Sequence, residues 1–134
     1  MSTTPIRIEP TASTPLVDLR PDERLLTMEG DCYPENPPHF FDPLLDAVAR
    51  ALDVDPAAPF RAVFRLRYAN SSSARALRRM FVLLDRAAQR GPDVSVAWEH
   101  DDDDDDAPEL VSVLADGLRF IDVQVRPVGT SARS

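Results

Sequence analysis

Three consecutive hydroxyls, Ser71, Ser72 and Ser73, follow Asn70 in the stretch YANSSSARALRRM, where an alternating pattern gives way to a helical one. Serine at such a junction does one of two kinds of chemistry. Its side-chain oxygen caps the unpaired N–H groups of a first helical turn, a contribution of about 1 kcal/mol. Alternatively it accepts a phosphoryl group, which adds about −1.5 to −2 charges where the helix dipole favours them. One serine suffices for a cap, and three exceed that need. Arg75 and Arg78, one and two turns further on, are placed to pair with such a phosphate. A strand ending at Asn70 and a helix beginning near Ser73 would leave Ser71 and Ser72 in a tight turn, where either role fits.

The remaining reactive side chains do not assemble into a catalytic constellation. The four glycines, Gly30, Gly91, Gly117 and Gly129, are isolated, so no phosphate-cradling loop is spelled out. His39, His100 and Cys32 lack metal-ligand spacing. The serine run has no flanking glycines of the kind a hydrolase elbow uses. Asp101 to Asp106 is a contiguous run of six carboxylates, whereas a calcium loop needs ligands at alternating positions around a glycine turn. Its last members instead suit the start of a helix near Pro108, with a partner-facing acidic patch as the lesser reading. No enzyme activity, cofactor or metal is therefore expected.

The elements that must position the serines follow from periodicity. Leu16 to Arg20 and Arg24 to Glu29, joined across Pro21-Asp22-Glu23, suit a hairpin. Phe60 to Tyr68 alternates strictly, with Phe60, Ala62, Phe64, Leu66 and Tyr68 on one face and Arg61, Val63, Arg65 and Arg67 on the other. Val94 to His100 and Ile121 to Arg126 repeat the alternation. Between them run helical stripes: Phe41, Leu44, Leu45, Val48 and Leu52; Leu77, Phe81, Leu84 and Ala88; and a short one over Pro108 to Asp116. Pro43 belongs either to the first turn after an Asp42 cap or inside a helix capped by Asn36. Strand alternation means that only one sheet face is covered, since a doubly covered parallel sheet reads as continuous apolar runs. The expected fold class is α/β, a two-layer sandwich of a mixed sheet with an N-terminal hairpin and helices on one face. On its open face, Asp18, Glu29, Glu99 and Asp122 are expected beside the arginines as cross-strand ion pairs.

Length and charge bound the functional class. A chain of 134 residues with 43% hydrophobic content builds one core without staples, so a single domain over residues 14–126 is expected, with flexible ends at 1–13 and 127–134. Cys32 is the sole cysteine, and no apolar stretch approaches a signal peptide or the roughly 20 residues of a membrane span. A cytoplasmic protein with no membrane role follows. All 15 basic residues are arginine, yet the net charge of −8 disfavours binding to nucleic acid.

Residues 30–36, GDCYPEN, and 68–73, YANSSS, followed by VAWEH and the acidic run, resemble the SiaC family of bacterial regulatory phosphoproteins over most of the chain from Thr14 to Arg126. The resemblance implies a STAS-like fold, akin to anti-sigma-factor antagonists, without enzymatic activity. It implies phosphorylation by a serine/threonine kinase, reversal by a PPM-type phosphatase, and binding and activation of a diguanylate cyclase by the unphosphorylated form, in biofilm control. The family's phosphorylated threonine follows the asparagine of its turn, which puts the site at Ser71, with Ser72 as the alternative. Cys32 stands where serine is usual. Tyr33, Pro34, Glu35, Asn36, Asn70, Ser71, Ser72, Ser73 and Arg75 become the expected partner surface. Pro34 and Asn36 equally suit a plain turn and cap. The alternative function is an antagonist of an anti-sigma kinase using the same serine.

Overall fold

The computed structural model describes residues 5–128. Six strands form one sheet in sequence order: β1 (Ile6–Ile8), β2 (Leu16–Arg20), β3 (Leu25–Cys32), β4 (Phe60–Ala69), β5 (Val94–His100) and β6 (Asp122–Pro127). The first three pair antiparallel and the last four parallel. Parallel neighbours need crossovers, and these are α1 (Pro37–Val54), α2 (Ser71–Gln89) and α3 (Asp106–Leu114). The expected mixed α/β sheet with an N-terminal hairpin and helices over one face is what the chain forms.

The covered face is read directly from alternation. Val17, Leu19, Leu26, Met28, Phe60, Ala62, Phe64, Val96 and Trp98 are buried beneath Leu44, Val48, Leu77, Phe81 and Leu84 of the helices. At the centre, Trp98 stacks on Phe64 with centroids 5.3 Å apart, and Phe81 of α2 closes on Phe64 at 5.7 Å. Full burial of each such side chain contributes about 1.5–3 kcal/mol. Helix α2 is thereby packed onto the strand that precedes it. On the open face Arg65 bridges Glu99 at 2.5 Å and Glu29 at 3.7 Å, and Asp18 meets Arg7 and Arg20. The ion-pair expectation holds there for Glu29 and Glu99, whereas Asp18 pairs with the N-terminal strands' Arg7 and Arg20 and not with the β4 arginines. Asp122 instead stands opposite Ser95.

Four local expectations need correction. Ile6–Ile8, within the stretch read as a flexible end, pairs with Val17–Leu19 as an edge strand, because its two isoleucines find the rim of the core. The proposed loose ends at residues 1–4 and 129–134 lie outside the described residues. At the other end of the chain, Val128 donates its N–H to His100 O at 2.7 Å, so residues 127 and 128 continue the β6 pairing. The choice left open for Pro43 is resolved rather than corrected: it sits inside α1, whose cap is Asn36 with Oδ1 accepting the His39 N–H at 3.3 Å, and Pro37 fills the opening turn. Helix α3 starts at Asp106, two residues before the proline expected to open it, and Asp104 Oδ1 accepts the N–H groups of Asp106 and Ala107.

Tyr68 is the fourth. The pairing of β3 with β4 runs Gly30 to Leu66 and then Asp31 to Tyr68, so Arg67 is an extra residue on β4. Such a bulge reverses the alternation beyond it. Leu66 points into the core, Tyr68 turns out to 54% exposure, and Ala69 packs inward again opposite Cys32. Gly30, at φ 124°, supplies the backbone conformation on the partner strand that other residues rarely adopt.

Candidate functional site

The site is assembled where β3 and β4 end side by side. The Asn70 N–H donates to Cys32 O at 3.2 Å, tying the turn after β4 to the loop after β3. Asn70 is itself extended, and its Oδ1 accepts the Ser73 N–H at 2.9 Å. Asn70 is therefore the N-cap of α2, and the expectation of a serine cap with Ser71 and Ser72 in a turn is corrected. Asparagine is as good a cap as serine, and it comes first along the chain. Ser71 and Ser72 are the first two helical residues, both exposed, and their hydroxyls make no hydrogen bond among the described residues. Ser73 faces inward and is fully buried.

The three serines are thus not equivalent. Ser73 Oγ stands beside the buried Cys32 thiol but meets no partner with hydrogen-bond geometry. Burial pushes the Cys32 thiol up from its ordinary value, and the neighbouring Ser73 hydroxyl opposes this only in part. Of these three, only Ser71 and Ser72 offer a hydroxyl to another molecule. The first turn of α2 carries no acidic residue, so its dipole and unpaired N–H groups face outward uncompensated by a side-chain charge. Arg75 is exposed and without an ion pair among the described residues. Arg78, also expected to serve a phosphate, is committed elsewhere: its Nη1 donates to Leu114 O at 2.9 Å and Asp116 O at 2.6 Å, closing the end of α3.

The loop after β3 distributes its residues between two surfaces. Tyr33 is 40% exposed and stands edge-on to Tyr68, centroids 5.7 Å apart. Pro34 is buried, Glu35 is exposed and Asn36 caps α1. Pro34, Glu35 and Asn36 also border a depression of about 540 Å³ with Ile6, Ile8 and Phe40. Sequence reasoning missed Tyr68 as a surface residue, and Gly30 was the signal, since an isolated glycine in a strand often marks a bulge. Among the described residues no three His, Cys, Asp or Glu side chains converge as a metal centre requires. None of the helices among the described residues is long and apolar enough to cross a membrane.

The chain as a whole has counterparts in known proteins. The chain is 34% identical over 115 residues to an uncharacterised protein of Pseudomonas aeruginosa strain UCBPP-PA14, covering 86% of this chain and 90% of that one. It superposes on apo-SiaC from Pseudomonas aeruginosa with a TM-score of 0.82 at 31% identity, covering 92% of this chain and 98% of that one. A further match, with a TM-score of 0.82 at 32% identity, covers 90% of this chain and 99% of the matched chain, in the crystal structure of the diguanylate cyclase SiaD in complex with its activator SiaC from the same organism. The sequence model of the SiaC family regulatory phosphoproteins matches residues 8–128, nearly everything from the edge strand to the end of the sheet. The match across residues 8–128, together with a fold shared over nine-tenths of the chain, makes this chain a member of the SiaC family of regulatory phosphoproteins.

Proposed function

We propose that this protein is a phosphorylation-controlled partner switch of the cytoplasm, without catalysis of its own. Its unphosphorylated form binds and activates a diguanylate cyclase. A serine/threonine kinase modifies Ser71, with Ser72 as the alternative site, and a PPM-type phosphatase restores it. The observation that carries this reading is Ser71 itself: exposed, first in α2, in a turn without acid and one turn from the unpaired Arg75. A phosphoryl group there gains about 0.3–1 kcal/mol from the helix dipole and needs no unfolding. It acts on recognition instead, because about −1.5 to −2 charges must be desolvated by any partner that covers the site. The cyclase assignment rests on SiaC, an activator found in complex with the cyclase SiaD.

The test is a pair of variants. Ser71→Ala is expected to bind and activate the cyclase as the unphosphorylated protein does, and Ser71→Asp to bind it about 5 to 150-fold more weakly, the usual span of such couplings. Titration calorimetry and cyclic di-GMP production read the two outcomes. Equal affinity of both variants overturns the switch.

A further inference from the structure

Tyr33 and Tyr68 come from different strand ends, yet their rings meet edge-on at 5.7 Å while 40% and 54% of the two residues stay open to solvent. Scattered exposed apolar residues need no explanation, but this pair is contiguous and pre-stacked. It is also placed there by a device, since the extra residue Arg67 turns Tyr68 out of the core and onto the surface. Aromatic rings already packed on each other lose little freedom on docking, and tyrosine is enriched among the few residues that dominate interface energetics. Charge lies next to them: Asp31, opposite Tyr68 in the sheet, pairs with the exposed Arg67 at 3.3 Å. An apolar centre bordered by charge is the anatomy of a docking patch.

We propose that Tyr33 and Tyr68 are the apolar centre of the surface that docks the diguanylate cyclase, which seats apolar side chains against the two rings. This rests on the function proposed above and names the contact that Ser71 controls. Tyr68 lies three residues before Ser71, at the same end of the parallel strands, and the hydrogen bond from Asn70 to Cys32 makes the two loops one surface. A partner covering the rings must therefore desolvate the entrance of α2. Neutral serine permits that, and a phosphoryl group opposes it. A kinase fits the patch less well, because it must release the site once the charge is in place, whereas the cyclase must hold it while the charge is absent.

The experiment measures affinity of the unphosphorylated full-length protein for its cognate diguanylate cyclase by titration calorimetry. Tyr68→Ala and Tyr33→Ala are each expected to weaken binding at least about tenfold, with a combined loss smaller than the product because the rings support each other. Tyr68→Phe, which keeps the ring contact, is expected to stay within about threefold. Melting temperatures near wild type for the exposed alanine variants exclude unfolding as the cause. Wild-type affinity for both alanine variants, with Ser71→Asp still impaired, overturns the tyrosine assignment and leaves the switch standing. Loss of kinase phosphorylation with cyclase affinity intact also overturns it, assigning the patch to the kinase. Failure of the wild-type protein to bind the cyclase overturns both proposals together.

Discussion

Helices α2 and α3 begin in equivalent places, each just after a parallel strand, but the two entrances are built with opposite electrostatics. In α3 the first helical residue is Asp106, Glu109 shares its turn, and the Asp104 carboxylate accepts two N–H groups. In α2 the first residue is Ser71, the turn holds no acid, and the neutral amide of Asn70 is the cap. Both meet the same demand from unpaired N–H groups and a positive dipole end. One meets it permanently with charge. The other meets it with neutral groups, leaving room for a charge that can be added and removed. The aspartate run that dominates the net charge thus serves as a fixed counterpart of the site where regulation is proposed.

Removing the caps should have the largest effect and show that both entrances need one. Asn70→Ala is expected to cost about 1 kcal/mol, and Asp104→Ala up to about 2 kcal/mol because its oxygen accepts twice and is charged, both read by urea denaturation. Loss of the Asn70 cap should also disturb the link to Cys32. Exchanging the first residues sharpens the contrast. Ser71→Asp is expected to stabilise the fold by about 0.3–1 kcal/mol and Asp106→Ser to destabilise it by a similar amount, with both effects shrinking in high salt. Equal signs for the two substitutions would break the comparison. The smallest effect concerns alkaline pH. Burial holds the Cys32 thiol above its ordinary value of 9.0, so the unfolded chain releases this proton first. The associated stability is fully present below pH 9.0 and is lost as pH rises through the folded value. Cys32→Ser, which cannot titrate there, is expected to flatten that decline.

Much of this architecture was readable from pattern. The hairpin across Pro21–Glu23, the strands from Phe60 and Val94, the last strand within one residue of its expected start at Ile121, and the apolar stripes of the helices all appear where period and turn residues put them. Ser71 to Ser73 stood out as candidates because hydroxyls at a strand-to-helix junction are a local pattern, whereas the choice of Ser71 among them came from the family resemblance. The start of α1 was open until the Asn36 amide proved to bond His39, three residues along and within the first turn. Arg78 looked as available as Arg75, and only the end of α3, 36 residues later, shows otherwise.

Neighbours within a few positions settled the period of each element, the number of helices and the chemistry on offer at residues 70–73, since rise, turn and capping geometry involve only residues close along the chain. The outward turn of Tyr68, the burial of Ser73 against Cys32, the pairing of Ile6–Ile8 and the engagement of Arg78 were set by contacts from far away in sequence. Each depends on how one element registers against another, and a single extra residue in a strand is enough to exchange inside for outside.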